Sequence, residues 1–222
     1  MDYMESIRVE MQDFIDNTAN RVPICIVVDT SFSMYIDNRI GHVNTGIANF
    51  IKNSAEDEYA VDSLDLCIIA FSGDDAVVVH PFTNVSKLND NFVPLTANGQ
   101  TPLGKAVELG LSQIDEVLKQ YSAQGITVFK PWLIIMSDGE ATDDVRKIAR
   151  TVREQQENRR IKVKCIDMGN GEGRGDLDKF TLDGEVDTIQ SFQIEDFFMM
   201  LSRSAVALST STPGEDYMRP IL

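Results

Sequence analysis

Five segments of this chain are rich in apolar, strand-forming residues, and the most apolar of them do not alternate with polar positions. They are VPICIVVD (22–29), LDLCIIAF (64–71), AVVVHPF (76–82), PWLIIMSD (131–138) and IKVKCIDMG (161–169), and a weaker one, VDTIQSF, follows at 186–192. Uninterrupted apolar runs are typical of parallel strands whose sheet is covered on both faces. This feature constrains the fold more than any other in the sequence.

Helical patterns lie between these runs. Apolar residues recur at helical spacing in four stripes, which begin at Ile36, Leu103, Val145 and Ile194. Strands that alternate with helices predict an α/β domain with a doubly wound, mostly parallel central sheet and helices on both faces. The second and third runs are separated only by SGDD, so we expect a hairpin that makes the third strand an antiparallel edge.

The chain has 222 residues, which suits one domain with a well-buried core. We expect an amphipathic helix packed on the domain within residues 1–20, the domain itself over 21–208, and a flexible tail over 209–222. The N-terminal segment lacks the apolar core of a signal peptide, and no apolar run approaches the ~20 residues of a membrane span. The three cysteines lie inside apolar runs, which favours reduced, packed thiols and a cytoplasmic protein.

The net charge of −15 limits the partners that the surface can attract. Nucleic acid and anionic membranes both select for Lys and Arg, so an acidic chain disfavours them. We therefore expect neither nucleic acid nor a membrane as a partner.

Oxygen-bearing side chains follow the predicted strands at the edge where open parallel sheets bind their ligands. DTSFS, after the first strand, supplies Asp29, Ser31 and Ser33, whose alternate spacing lets them point the same way in an extended turn. SDGEATDD, after the fourth strand, supplies Asp138, and NGQTPLGK supplies Thr101. Carboxylates and hydroxyls favour Mg²⁺, Ca²⁺ or Mn²⁺ over the soft sites typical of zinc.

A structural interpretation of the same residues stays open. Asp29 and Ser31 are good turn and capping residues, and Asp138 precedes a glycine, which favours a turn. Thr101 followed by Pro102 is a favourable start for the second long helix, with Thr101 as its cap.

The order Asp-x-Ser-x-Ser, Thr-Pro, Ser-Asp-Gly resembles the metal-ion-dependent adhesion site (MIDAS) of von Willebrand factor A (vWA) domains. VVDTSFSM, TPLGKAVELGL and PWLIIMSDGEATDD are similar to bacterial cytoplasmic vWA proteins of the TerY/YegL type, which are associated with tellurium resistance and stress. The resemblance spans roughly residues 22–208. It implies that Ser31, Ser33 and Thr101 ligate a divalent cation, with Mg²⁺ the first expectation and Mn²⁺ or Ca²⁺ possible, and that Asp29 and Asp138 bind it directly or through water.

The resemblance also implies a protein-interaction module rather than an enzyme. In vWA domains the cation takes a Glu or Asp of a partner protein in its open position, and residues at the rim of the site supply selectivity. The rim candidates here are Phe32, Met34, Tyr35, Asn98, Gln100, Glu140 and Thr142. The family usually has Gly where this chain has Phe32, so we expect either a strained loop with a weaker site or an exposed ring that contacts a partner.

A Mg²⁺-dependent phosphatase is the alternative from another class. Haloacid-dehalogenase-type phosphatases also place an Asp after the first strand, in a pattern that resembles Asp-x-Asp-x-Thr. In this chain Ser31 replaces the second Asp, so a general acid is missing. His42 and His80 are distant in sequence from the three loops, and no Ser/His/Asp arrangement is recognisable.

Nucleotide binding is a third possibility. The glycine-rich MGNGEGRGD (168–176) follows a strand, but it lacks the Lys-Ser/Thr of a P-loop. Glu172 and Asp176 within it would repel phosphate. We expect a flexible loop that shapes the partner surface.

Overall fold

The computed structural model describes residues 19–211, so the predicted N-terminal helix and nearly all of the predicted tail lie outside the described residues. Within them, six strands form one sheet in the order β3-β2-β1-β4-β5-β6. The strands are β1 (Val22–Asp29), β2 (Leu64–Ser72), β3 (Asp75–Asn84), β4 (Trp132–Ser137), β5 (Lys162–Asp167) and β6 (Val186–Thr188).

The pairing of the strands confirms the predicted fold class. β1 pairs in parallel with both β2 and β4, and β4–β5 and β5–β6 are also parallel. Of the six described strands, only β3 is antiparallel, at the edge beside β2. The strand order reverses between β1 and β4, so the ends of these two strands form the crevice where a doubly wound sheet binds its ligand.

Four long helices of the described part of the chain cover the sheet. They are α1 (Arg39–Ala55), α2 (Leu103–Ala123), α3 (Arg146–Glu157) and α4 (Ile194–Ser209). Short helical turns span Phe32–Asn38, Ala60–Ser63, Val85–Leu88, Arg174–Leu177, Asp178–Phe180 and Ser191–Gln193. Among the described residues, none of the helices combines the length and the apolar character needed to cross a bilayer.

Two hydrophobic cores, one on each face, explain the unbroken apolar strands. In β1, Ile24 and Ile26 pack in the core that α1 and α4 cover. Cys25 and Val27 point to the opposite face, into the core that α2 and α3 cover. Every residue of β1 is buried, as expected for a central parallel strand. Cys25, Cys67 and Cys165 are buried free thiols, as predicted.

One detail of the predicted helices is wrong. Ile36 was expected on the apolar stripe of the first helix, but its side chain is 54% exposed. Asp37 and Asn38 have positive φ angles of 49° and 54°, a left-handed conformation that a continuous helix does not contain. α1 therefore begins only at Arg39, and Ile36 lies before the break.

Because α1 and α4 cross closely at Gly46, replacing this helical glycine by alanine should destabilise the protein rather than stabilise it. A Cβ atom at Gly46 would lie 2.3 Å from the ring of buried Phe198. Gly46→Ala should therefore lower the free energy of unfolding by roughly 1–3 kcal/mol through overpacking, although alanine is about 1 kcal/mol the better helix former. Ala48→Gly, at an exposed position of the same helix, is the control and should cost about 1 kcal/mol. A stabilised Gly46→Ala in urea unfolding would contradict the close packing.

Candidate metal centre

Three loops meet at the carboxyl edge of the sheet, where β1 and β4 end. The backbone N–H of Phe32 donates to the carbonyl of Gly99 at 3.1 Å, and the N–H of Asn98 donates to the carbonyl of Thr30 at 2.5 Å. On the other side, the N–H of Thr142 donates to the carbonyl of Thr101 at 2.9 Å. The loop that contains Thr101 is thus tied by its backbone to both of the others.

Four of the five predicted site residues belong to one hydrogen-bonded cluster. The hydroxyl of Ser33 donates to Oδ1 of Asp138 at 2.6 Å, across 105 residues of chain. The hydroxyls of Ser31 and Ser33 lie 2.9 Å apart. Since the single proton of Ser33 is used by Asp138, Ser31 donates to Ser33, and both hydroxyl oxygens retain lone pairs for a further contact.

Asp29 joins the cluster through both of its carboxylate oxygens. Its Oδ1 accepts from the backbone N–H of Ser31 at 2.8 Å, and its Oδ2 accepts from the hydroxyl of Ser137 at 2.6 Å. The first bond is the turn-stabilising role that the structural interpretation assigned to Asp29. The second connects the ends of β1 and β4, which a turn residue alone would not do.

Burial determines the acidity of Asp29. The side chain has no solvent exposure, and desolvation raises the pKa of its carboxyl to about 6, against the lowering effect of the hydrogen bonds from Ser137 and Ser31. The neighbouring Asp138 raises the pKa further by like-charge repulsion. Because Asp29 and Asp138 repel each other, a cation beside them would stabilise the ionised form of both carboxyls.

Thr101 reaches the same edge, but not as the predicted helix cap. α2 begins at Leu103 after Pro102, and the cap position makes no side-chain hydrogen bond. Asp143 takes the capping role instead, because its carboxylate accepts from the N–H groups of Gly104 and Lys105, each at 2.9 Å. The Thr101 side chain is therefore buried without a capping function, on a loop that backbone hydrogen bonds join to the other two loops.

Arg39 is a member of the cluster that the sequence did not reveal. Its guanidinium donates to Oδ2 of Asp138 at 2.7 Å, and it also contacts the carbonyl of Ser33 at 3.4 Å. The side chain is only 7% exposed. Its position in a predicted helix, between Ile36 and Ile40 of the apolar stripe, gave no sign of this contact with a residue 99 positions away.

Two glycines allow the loops to approach so closely. A Cβ atom at Gly99, where φ is +70°, would lie 2.5 Å from the backbone of Gly73. A Cβ atom at Gly169, after β5, would lie 1.9 Å from the carbonyl oxygen of Asp138. Any larger residue at either position would displace one of the loops that form the cluster.

The rim of the site differs from the prediction in two respects. Met34 was a rim candidate, but it is fully buried in the core that α1 covers. The expected strain at Phe32 is absent, because Phe32 is not among the described residues with positive φ. Its ring is 64% exposed, beside Tyr35 at 61%. Asn98, Gln100, Glu140 and Thr142 are exposed, as expected of rim residues.

The glycine-rich segment and the histidines have other contacts. Oδ2 of Asp176 accepts from the N–H of Ala141 at 2.8 Å, so the segment supports the loop after β4. His42 bonds to Glu195, and His80 accepts from the N–H of Val93. The described residues contain no group of three or more His, Cys, Asp or Glu side chains placed to hold a metal. A cation here would need the hydroxyls.

The set of donors fits a hard divalent cation. Two serine hydroxyls with free lone pairs share one hydrogen-bonded cluster with two buried carboxylates, and a third hydroxyl, from Thr101, belongs to a loop bonded to both neighbours. All of these donors are oxygen atoms, which Mg²⁺, Mn²⁺ and Ca²⁺ prefer.

Comparison with solved structures finds the same fold in other proteins, whereas no protein-family model and no curated protein matches the sequence. A von Willebrand factor type A protein from Catenulispora acidiphila matches with a TM-score of 0.64 and 15% identity, over 85% of this chain and 43% of that one. The vWF domain of the type V pilus tip protein Mfa5 from Porphyromonas gingivalis matches with a TM-score of 0.63 and 12% identity, over 90% and 99% of the two chains.

A third similar structure contains a bound metal. Proximal thread matrix protein 1 from the mussel byssus, with a zinc-occupied MIDAS, matches with a TM-score of 0.59 and 15% identity, over 85% of this chain and 48% of that one. The chain spans less than half of the Catenulispora and mussel proteins. At these identities the comparisons show that the fold is that of a vWA domain.

The raised pKa of Asp29 predicts how the stability of the metal-free protein depends on pH. The folded state holds this proton more tightly than the unfolded chain, with a pKa of about 6 against 3.8. The stabilising contribution is therefore fully present below about pH 4 and lost above about pH 6, and it amounts to about 3 kcal/mol. In urea unfolding with EDTA, Asp29→Asn should gain stability relative to the wild type as the pH rises through this range.

Asp144→Asn is the matched control, with the opposite sign. The Arg146 guanidinium holds the pKa of exposed Asp144 below its usual range, so this variant should lose stability relative to the wild type as the pH rises. If the free energies of unfolding of Asp29→Asn and the wild type differed by the same amount at every pH, the pKa of the Asp29 carboxyl would not be raised by folding.

Proposed function

We propose that this chain is a metal-dependent protein-interaction module, which binds an acidic side chain of a partner through a divalent cation held by Ser31, Ser33, Thr101, Asp29 and Asp138. The observation that carries the proposal is the hydrogen-bonded cluster of Ser31, Ser33 and Asp138 at the switch point of a vWA fold. The order of the motifs in the sequence, which resembles a MIDAS, supports the same assignment.

The chain's residues have distinct roles in this proposal. Ser31 and Ser33 present neutral oxygens, and Asp138 orients Ser33 by accepting its proton. Asp29 fixes the first loop through the N–H of Ser31 and the second strand end through Ser137. When bound, the cation supplies an electrophilic position for a carboxylate. The buried strands β1 and β4 hold these groups rigidly at the carboxyl edge of the sheet.

Mg²⁺ is the first candidate ion, because hydroxyl and carboxylate oxygens suit its octahedral coordination. Mn²⁺ and Ca²⁺ accept the same donors. Zinc is added as a candidate, since the mussel protein with the same fold has zinc in its MIDAS.

The surface beside the site suits a protein partner with an apolar contact next to its acidic residue. Phe32, within the first loop, and Tyr35 and Ile36, just after it, are all more than half exposed. Aromatic residues are enriched in the energetically important centres of interfaces. The resemblance to TerY/YegL-type proteins suggests a cytoplasmic complex of the bacterial stress or tellurite-resistance type.

A phosphatase is the weaker candidate. The nucleophile of such an enzyme would be Asp29, whose side chain is fully buried and whose two oxygens both accept hydrogen bonds. A nucleophilic carboxylate needs one oxygen that can reach the substrate. Turnover of a generic phosphoester that is lost in Asp29→Asn would favour the enzyme over the interaction module.

Removal of single hydroxyls should weaken cation binding without unfolding the domain. Ser33→Ala and Thr101→Ala should each reduce the affinity for Mn²⁺ or Mg²⁺ at least about tenfold, because each removes one of the few neutral donors. Isothermal titration calorimetry measures the affinity, and circular dichroism checks the fold. Thr45→Ala, which removes an exposed hydroxyl in α1, is the control and should bind as the wild type does. Wild-type affinity in both site variants would overturn the metal assignment.

The Phe32 side chain should contribute to the affinity for the partner rather than to the affinity for the cation. Its backbone is outside the left-handed region, so Phe32→Gly relieves no such strain and should leave cation affinity within about twofold. A partner captured in the presence of metal should lose at least about tenfold in affinity, because the exposed ring is removed. Phe192→Gly, at another exposed ring, is the control. A large gain in cation affinity in Phe32→Gly would instead indicate a strained loop.

A further inference from the structure

Arg39 stands apart from most other charged side chains of the described residues, because it is buried together with its partner. The Arg39 and Asp138 side chains are 7% and 0% exposed. The Lys52–Glu56 and Arg146–Asp144 pairs, by contrast, are more than half exposed at both side chains. A buried charge is costly unless it is paired, so Arg39 and Asp138 depend on each other.

The two oxygens of Asp138 face different neighbours. Oδ2 accepts from the Arg39 guanidinium at 2.7 Å, whereas Oδ1 accepts from the Ser33 hydroxyl at 2.6 Å. Arg39 therefore approaches Asp138 from the side of α1 and leaves the serine hydroxyls in place. Arg39 and Ser33 thus use different oxygens of Asp138, and a divalent cation at the hydroxyls would add its charge to that of Arg39.

Arg39 determines the net charge that the cluster would have with a cation bound. Asp29, Asp138 and Arg39 together carry one net negative charge when both carboxyls are ionised. A divalent cation would convert this into one net positive charge. Without Arg39, the two carboxylates would neutralise the same cation completely.

We propose that Arg39 is a fixed internal counter-cation, which keeps the affinity of the isolated domain for divalent cations low and makes tight cation binding depend on one incoming carboxylate. This inference rests on the proposed function. It adds that the acidic side chain of a partner and the cation bind cooperatively, each raising the affinity for the other by the same factor.

The experiment titrates Mn²⁺ into four proteins by calorimetry at about pH 8, above the pKa of about 6 of Asp29. They are the wild type, Arg39→Gln, Arg39→Met, which keeps an apolar stem, and Arg39→Lys, which keeps the charge. Arg39→Gln and Arg39→Met should bind Mn²⁺ at least about tenfold more tightly than the wild type, because repulsion in a partly buried site is strong. Arg39→Lys should bind within about threefold of the wild type.

Arg146→Gln is the matched control, since it breaks an exposed Arg–Asp pair of the same length, 2.7 Å, outside the cluster. Its affinity for Mn²⁺ should equal that of the wild type. Thermal unfolding gives a second readout: Arg39→Gln should be less stable than the wild type in EDTA and should gain more stability from saturating Mn²⁺.

Acetate provides a second test, and its first part uses the wild type alone. In the wild type, saturating acetate should tighten Mn²⁺ binding, and the gain should be smaller in Arg39→Gln. No effect of acetate in the wild type, or equal or weaker Mn²⁺ binding in both Arg39→Gln and Arg39→Met, overturns the inference while leaving a metal-binding wild type intact. Failure of every protein, the wild type included, to bind Mn²⁺, Mg²⁺ or Zn²⁺ would overturn the proposed function and this inference together.

Discussion

Two carboxylates without solvent exposure, at the ends of the two central strands, determine the structure of this edge of the molecule. Asp29 and Asp138 would each be costly to bury alone. Their four oxygens accept from Ser31, Ser137, Ser33 and Arg39 instead, at 2.6–2.8 Å. Because these donors come from separate parts of the chain, satisfying the carboxylates also joins the ends of β1 and β4 to the start of α1. The same contacts that stabilise the edge thus set the positions of the hydroxyls.

The rest of the fold makes that arrangement rigid. β1 lies between β2 and β4 and is buried along its whole length, so Asp29 extends from a strand that has little freedom to move. Asp143 bonds to the first turn of α2, and Asp176 bonds to the loop after β4. These hydrogen bonds of Asp143 and Asp176 hold the Thr101 loop and the Asp138 loop against each other. A cluster built in this way is preorganised, which would lower the cost of ordering it for the proposed cation.

The sequence was sufficient for the fold and for most of the cluster, because both follow from local patterns. Continuous apolar runs gave β1 its observed bounds, and the rule that ligands bind beyond the carboxyl ends of parallel strands led to Asp29, Ser31, Ser33 and Asp138. What could not be predicted depends on contacts between distant residues. Arg39 meets Asp138 across 99 residues, and Asp143 rather than Thr101 caps α2 across 39. The burial of Met34, which was expected at the rim, also depends on tertiary packing rather than on its place in the sequence.

The central claim is that the three hydroxyls and two carboxylates share one cation, and a crystal structure obtained in Mn²⁺ tests it most directly. An anomalous difference map should show one strong peak within coordination distance of the side-chain oxygens of Ser31, Ser33 and Thr101, at about 2.1 Å when Mg²⁺ replaces Mn²⁺. Water or an acidic group of another molecule should occupy the coordination position of the cation that the protein leaves open. A map at saturating Mn²⁺ with no peak between these three oxygens would contradict the account.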